Sequence, residues 1–152
     1  MQLDATDRAI LNEVQASGRV TNAELAGRVG LSASAALRRT RALEQAGVIA
    51  GYVALVDRAA IGRGTTVFVE ISVATQSEAQ LDGFEAAITE VPEVISCHLM
   101  AGDSDYLVQV ACSDVEDYER VHRERLSKLP GVARIRSSFA LREVCNRTSF
   151  DL

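Results

Sequence analysis

TNAELAGRVGLSASAALRRTRALEQAG, residues 21–47, is the stretch that decides the fold of the first part of this chain. Thr21 and Glu24 have the spacing of a capping box, which predicts the start of a helix. Gly30 is the residue type that ends helices in a left-handed conformation, and Ser32 can cap the helix that follows. The stretch therefore predicts two short helices joined by a tight turn.

The second of these helices has two faces of different chemistry. Ala36, Thr40 and Leu43 recur at helical spacing and form a face that can pack inward. The opposite face carries serine and arginine and has no Asp or Glu from residue 32 to 42. Such a helix suits a helix-turn-helix docked in a DNA major groove, where arginine can bind phosphate or the O6/N7 edge of guanine. The residues that we predict to contact DNA are Thr21, Ser32, Ser34, Ala35, Arg38, Arg39 and Arg41.

A simpler explanation is that these arginines belong to an ordinary solvated helix face. Three features together favour DNA binding over it: the capping box, the Gly30-Leu31 turn and the outer face without acidic residues. The helix-turn-helix is therefore the interpretation that we carry forward.

The length of 152 residues allows one or two small domains, and a hydrophobic share of 47% is enough to form packed cores. The net charge of −5 argues against a general affinity for nucleic acid. Residues 1–64 carry a net charge of +2, however, and residues 65–152 carry −7. We therefore expect DNA to contact only the N-terminal part of the chain.

Several other classes of protein are disfavoured. The three cysteines, Cys97, Cys112 and Cys145, have no spacing typical of metal ligands or of a disulfide framework. The chain shows neither a signal-peptide pattern nor an apolar run of membrane-spanning length, so a soluble cytoplasmic protein is expected. No phosphate-binding loop, activated nucleophile or paired carboxylates are present, so we predict no enzyme activity, no metal and no cofactor.

The rest of the N-terminal part completes a three-helix domain. Asp4 is expected to cap a first helix that Gly18 ends. Together with the two helices over residues 21–47, this helix predicts a winged-type helix-turn-helix domain over residues 1–47. Residues 48–56 are apolar and β-prone, and we predict a strand there. Residues 48–64 would thus form a connecting strand and hinge.

The remaining chain, residues 65–152, repeats one pattern twice: strand, amphipathic helix, Pro and a further strand. The predicted fold class is α+β, with a C-terminal βαββαβ ferredoxin-like domain whose two helices cover one face of a four-stranded antiparallel sheet. The predicted strands are 65–74, 94–100, 106–112 and 133–144, and the predicted helices are 77–91 and 114–129. The other face of the sheet would be left uncovered with apolar residues on it, so we expect at least a homodimer.

Taken together, these residues resemble the Lrp/AsnC family, the feast/famine transcription regulators. The resemblance covers nearly the whole chain and rests on motifs in a fixed order and spacing. They are LDxxDxxIL at 3–11, GR at 18–19, ELA at 24–26, GLS at 30–32, RxxxLExxGVI at 39–49, GDxDY at 102–106 and LPGV at 129–132.

The resemblance implies a sequence-specific DNA-binding regulator with a C-terminal RAM/ACT-like domain for ligand sensing and oligomerisation over residues 65–152. Proteins of this family pair into dimers that commonly assemble into octamers or other rings. A small effector, usually an amino acid, binds between dimers near the turn formed here by residues 102–105.

This location is chemically reasonable for an α-amino acid. Asp103 or Asp105 can accept hydrogen bonds from its ammonium group, and exposed turn N–H groups around Gly102 can hold its carboxylate. From the residues alone, the same turn also fits a plain hairpin connection. The predicted effector-binding residues are Met100, Gly102, Asp103, Ser104, Asp105, Tyr106 and Thr148.

The chain departs from the family where effectors would be sensed. The position of Ser104 is often aromatic in the family, and the ending TSFDL at 148–152 differs from the more usual Leu-Pro finish. An alternative function is an amino-acid sensor that acts through protein partners rather than DNA.

Overall fold

The computed structural model describes residues 2–152 and contains, within that range, five α-helices and four β-strands. The helices are α1 (Ala5–Ala16), α2 (Asn22–Val29), α3 (Ala33–Gln45), α4 (Glu78–Thr89) and α5 (Val115–Glu124). The strands are β1 (Thr65–Val73), β2 (Val94–Leu99), β3 (Tyr106–Cys112) and β4 (Val132–Phe139), and a 3₁₀ turn spans Leu126–Lys128. In this described part, no helix is both long and apolar enough to cross a membrane.

The chain divides into two compact units. The helical unit comprises the residues up to Leu55 together with Val144–Leu152, and the sheet unit comprises Val56–Glu143. The predicted division into 1–47, 48–64 and 65–152 therefore differs from the structure at its boundaries. The chain end belongs to the helical unit because Gln15 on α1 donates to the carbonyl of Phe150 (3.2 Å) and accepts from its N–H (2.8 Å).

Local sequence signals account for the ends of the three helices in the helical unit. Asp4 and Thr21 each form a capping box, and Ser32 accepts a hydrogen bond from an N–H in the first turn of α3. Gly30 ends α2 with φ of 68°, in the left-handed region where glycine has no steric cost. The helices enclose a small core of four buried residues, which are Ile10, Leu11, Leu25 and Leu43.

The strand predicted over residues 48–56 is wrong. These residues form no regular structure, and Val53, Leu55 and Val56 expose their side chains. A strand needs a neighbour for its backbone N–H and C=O groups, and no strand of the described chain pairs with this segment.

The last strand is also shorter than predicted. It ends at Phe139 rather than at residue 144, because Phe139 already pairs with Val67, close to the start of β1. Beyond Ala140, whose N–H donates to the carbonyl of Thr66, β1 offers no partner for a longer β4.

The sheet unit has the predicted ferredoxin-like architecture. Its four strands are antiparallel throughout in the order β2-β3-β1-β4, and the two halves of the βαββαβ pattern interleave. Alternate residues of β1, from Val67 to Val73, are buried in one hydrophobic cluster with residues of α4 and α5. The α+β fold class is therefore confirmed.

The other face of the sheet is more polar than expected. The residues of β1 and β4 that point to this open face alternate with the buried ones. They are Phe68, Glu70 and Ser72 on β1 and Arg134, Arg136 and Ser138 on β4. The polar residues on this face show that covering apolar surface is not its only possible role.

Candidate functional site

Helix α3 presents the arginine-bearing face that its sequence predicts. Ala36 and Leu43 are buried on the inner face, whereas Ser34, Arg38 and Arg41 are exposed. Among the described residues, no carboxylate lies within ion-pair distance of Arg38 or Arg41. Both guanidinium groups are thus available to bind an external anion or a base edge.

The caps that precede α2 and α3 use their hydroxyl groups within the protein. Thr21 Oγ1 accepts from the N–H of Glu24 (3.3 Å) and donates to its carboxylate (2.8 Å). The backbone hydrogen bond from Thr21 and then its hydroxyl lower the pKa of Glu24. Ser32 Oγ accepts from the N–H of Ala35 (3.3 Å) and lies 3.2 Å from Ser34 Oγ, so two exposed hydroxyls stand at the start of α3.

Arg39 has a different environment from Arg38 and Arg41. Its Nη1 donates to Asp4 Oδ2 (2.7 Å) and Asp7 Oδ1 (2.8 Å), which ties α3 to the start of α1. These hydrogen bonds raise the pKa of Arg39, and the pKa of Asp4 is lowered by the N–H of Asp7 first and by Arg39 second. The placement of Arg39 therefore does not support the DNA contact that the sequence predicts, because its guanidinium already has two anionic partners.

The turn between β2 and β3, residues 101–105, borders a polar cavity in the sheet unit. The cavity has a volume of about 350 Å³ and is lined by Glu70, Ser72, Asp103, Ser104, Arg134 and Arg136. Gly102 and Asp103 are exposed on the turn and Ser104 is half-buried, while Met100 is exposed at the end of β2. Of the predicted effector residues, the structure thus brings Asp103 and Ser104 together in this cavity.

The cavity combines groups of both charges. Arg136 Nη1 lies 3.6 Å from Glu70 Oε2. Ser72 Oγ is buried without a hydrogen-bond partner among the described residues. Two guanidinium groups and two carboxylates can between them bind a carboxylate and an ammonium.

Four of the residues that line the cavity are not among those predicted from the sequence, namely Glu70, Ser72, Arg134 and Arg136. They lie opposite one another only because β1 pairs with β4, with Glu70 facing Arg136 and Ser72 facing Arg134. The available signal was charged residues at alternate positions of otherwise apolar strands.

Asp105 and Tyr106 are held by the protein itself. Asp105 Oδ2 accepts from the N–H of Val73 (2.8 Å), and its Oδ1 accepts from Gln76 Nε2 (2.5 Å). Tyr106 is buried and stacks on Phe84, with ring centroids 4.3 Å apart. Tyr106 also donates to Glu85 (2.9 Å), and its burial raises the pKa of its phenol. The internal partners of both residues do not favour the effector contacts predicted for them, which stay predictions.

Thr148 belongs to the helical unit, whereas the other predicted effector-binding residues belong to the sheet unit. It borders an apolar cavity of about 580 Å³ together with α1 and residues of the 48–55 segment. Within residues 2–152, no cluster of three or more His, Cys, Asp or Glu side chains could hold a metal ion.

These features define a class of protein: a transcriptional regulator that binds DNA through an N-terminal helix-turn-helix and senses a ligand through a C-terminal ferredoxin-like domain. Two family models match, namely winged helix-turn-helix DNA-binding over residues 3–50 and the Lrp/AsnC ligand binding domain over residues 66–150. The chain belongs to the Lrp/AsnC family of transcriptional regulators, which are not enzymes.

Relatives and solved structures agree with this assignment. The chain is 41% identical to the leucine-responsive regulatory protein of Salmonella typhimurium over 142 residues, covering 93% of this chain and 87% of that one. It is 39% identical over 147 residues to the proline dehydrogenase transcriptional activator of Rhodobacter capsulatus, covering 97% and 96%. A transcriptional regulator from Neisseria meningitidis in complex with L-Met superposes with a TM-score of 0.93 at 36% identity, covering 98% of this chain and 96% of that one.

Proposed function

We propose that Arg38 and Arg41 on α3 make the sequence-specific DNA contacts of this regulator. The observation that carries the proposal is that both are exposed on the outer face of α3 without an internal carboxylate partner, whereas Arg39 is bound by two. We expect Ser32, Ser34 and the N-terminal amides of α3 to contact the phosphate backbone, because a helix N-terminus with exposed hydroxyls favours an anion.

The test is a fluorescence anisotropy titration with the DNA upstream of the protein's own gene and with scrambled DNA, over a range of salt. If Arg38 or Arg41 reads a base, its change to Ala is expected to weaken specific binding by about 5- to 150-fold. If it binds phosphate instead, the slope of log K against log salt becomes shallower by about 0.9 for each phosphate that the variant no longer neutralises.

Arg142→Ala is the matched control, because it removes the same charge from an exposed position in the sheet unit. Equal losses from Arg142→Ala and Arg38→Ala would refute the assignment to α3. Amino-acid binding without any preference for the upstream DNA would favour the alternative of a sensor that acts through protein partners.

We propose that the effector is an α-amino acid bound in the polar cavity of the sheet unit. Asp103 and Glu70 would accept from its ammonium, and Arg134 and Arg136 would bind its carboxylate. The N–H groups near Gly102 offer a second contact for the carboxylate. The L-Met complex of the Neisseria meningitidis regulator supports this class of ligand.

Isothermal titration calorimetry with the common amino acids tests the effector site. Asp103→Asn and Arg134→Gln are each expected to weaken binding by about tenfold or more, since each removes a charge-assisted hydrogen bond. Arg123→Gln on α5 is the control, because Arg123 pairs with Glu119 outside the cavity. Unchanged affinity in both cavity variants would refute the site.

We further propose that the protein is a homodimer that assembles into an octamer or another higher oligomer, and that it acts in the cytoplasm. Large apolar side chains stand exposed in both units, including Val53 and Leu55 in the helical unit and Leu141 in the sheet unit, and a second copy would cover them. Two α3 helices related by a twofold axis would meet major grooves roughly 34–36 Å apart. Light scattering with and without amino acids measures the assembly, and a monomer under both conditions would refute it.

A further inference from the structure

We propose that Asp105 and Gln76 are positioning residues that hold the β2–β3 turn (residues 101–105) against the end of β1. This inference rests on the proposed effector site, since Asp103 and Ser104 of the same turn line that cavity. Asp105 then sets effector affinity by fixing its neighbours in the turn and makes no contact with the effector.

The contacts of Asp105 support this role. Its carboxylate accepts from Val73 N–H at 2.8 Å and from Gln76 Nε2 at 2.5 Å, so each oxygen has a donor from the protein. Its backbone N–H donates to the carbonyl of Ile71 (3.0 Å), and its carbonyl accepts from Met100 N–H (2.8 Å). The residue that closes the turn is therefore attached to β1, to the connection after β1 and to the end of β2.

The position of Val73 explains why β1 needs this carboxylate. The pairing of β1 with β3 ends at Ile71 opposite Tyr106, and the β1–β4 register shifts between Ser72 and Val73. Val73 lies two residues beyond Ile71, the last residue of β1 that pairs with β3, and Asp105 Oδ2 takes the place of a strand carbonyl for its N–H. A backbone donor left without an acceptor at this depth would destabilise the strand end.

Gln76 adds a hydrogen bond between two segments that are far apart in the sequence. It lies in the connection between β1 and α4, outside any helix or strand, and its amide reaches Asp105 across 29 residues of sequence. A hydrogen bond to an ionised carboxylate is stronger than one between neutral groups. The hydrogen bond from Gln76 to Asp105 therefore restrains the turn before an effector binds. This favours binding, because less conformational entropy is lost on association.

Two substitutions of Asp105 separate positioning from direct contact with the ammonium. Asp105→Asn keeps an oxygen for Val73 N–H and can hydrogen-bond to Gln76 through its amide, but it has no charge. Asp105→Ala removes both acceptors. For the amino acid that binds the wild-type protein, we expect Asp105→Asn to change the Kd by less than about threefold and Asp105→Ala to raise it by about tenfold or more.

A swap of donor and acceptor tests Gln76 itself. Gln76→Glu places a second carboxylate against Asp105 and is expected to weaken binding, since like charges repel at this distance. Asp105→Asn combined with Gln76→Glu restores one donor and one acceptor with their places exchanged. We expect the double variant to bind within about threefold of the wild-type protein, because one charge-assisted hydrogen bond again joins the two positions.

Hydrogen exchange of the Val73 amide provides a readout that requires no effector. Exchange is expected to be faster in Asp105→Ala than in the wild-type protein and unchanged in Asp105→Asn. Loss of effector binding in Asp105→Asn with Val73 still protected would show that Asp105 is a ligand and would overturn the proposal. Unchanged exchange in Asp105→Ala would overturn it too. If no amino acid binds the wild-type protein, the proposed effector role fails, while the exchange comparison still decides whether Asp105 holds the turn.

Discussion

Leu43→Ala is expected to destabilise the helical unit strongly and to weaken or abolish DNA binding while the sheet unit keeps its stability. Leu43 lies on the inner face of α3 and is fully buried in the four-residue core of the helical unit. The sheet unit has its own cluster of fifteen buried residues, and this cluster includes none of the four. A cavity at Leu43 therefore removes packing from one unit only.

The expected loss is large for a unit of this size. Truncating a fully buried leucine to alanine costs about 3–5 kcal/mol, from lost transfer free energy and the cavity left behind. A unit of about 60 residues has a free energy of unfolding of about 3–9 kcal/mol if each residue contributes roughly 0.05–0.15 kcal/mol. The substitution therefore removes a third or more of the stability of the helical unit, and where that stability is about 3–5 kcal/mol it leaves none.

Hydrogen exchange resolved by peptide, with DNA anisotropy in parallel, measures the outcome. We expect fast exchange throughout α1–α3, native-like exchange in β1 and β3, and loss of specific DNA binding. Ile10→Val is the control in the same core, because it deletes one methyl group at a cost of about 1 kcal/mol and should retain DNA binding. Loss of protection in both units to the same extent would refute the separation into independent cores, and native exchange in α3 would refute the role of Leu43.

Three further predictions concern the rest of the chain. Gly131→Ala is expected to destabilise the protein by about 2–3 kcal/mol, because alanine is strained at φ of 69° and its Cβ would lie 2.1 Å from Gln80 Nε2. Gln80 would then have to give up its hydrogen bond to the carbonyl of Pro130. In chemical denaturation, the same change should cost about 1 kcal/mol less in a Gln80→Ala background, where that hydrogen bond is already absent. Iodoacetamide at neutral pH should label exposed Cys145 about tenfold or more faster than Cys97, whose pKa is raised to about 11 by burial first and by a nearby glutamate second, and equal rates by mass spectrometry would contradict this. The pKa of Asp117 is lowered first by the backbone N–H of Ser113 and then by Arg120. The ionised carboxylate therefore stabilises the folded protein above the pKa of Asp117 in the unfolded chain, near pH 4, and this stabilisation is lost as the pH falls through the lower pKa of the folded state. Asp117→Asn should show a smaller difference in melting temperature between pH 6 and pH 3 than the wild-type protein.

Local sequence patterns determined most of the secondary structure of this protein and, through the order of its elements, its fold class, although the strand that they predicted over residues 48–56 does not form. The capping boxes at Asp4 and Thr21 and the left-handed Gly30 act within one turn of chain, so they can be identified without tertiary contacts. Alternation in β1 and helical spacing in α3 likewise predicted which side chains are buried. The exposed Arg38 and Arg41 follow from that spacing alone.

Contacts between residues far apart in the chain were decided only by the tertiary structure. Arg39 and Asp4 are 35 residues apart and Asp105 and Val73 are 32 apart, so no local pattern shows that these pairs bind each other. Strand register likewise places Arg136 beside Glu70 in the polar cavity. The physical reason is that capping and periodicity depend on neighbours within a few residues, whereas ion pairs, registers and cavities arise only where packing brings distant segments together.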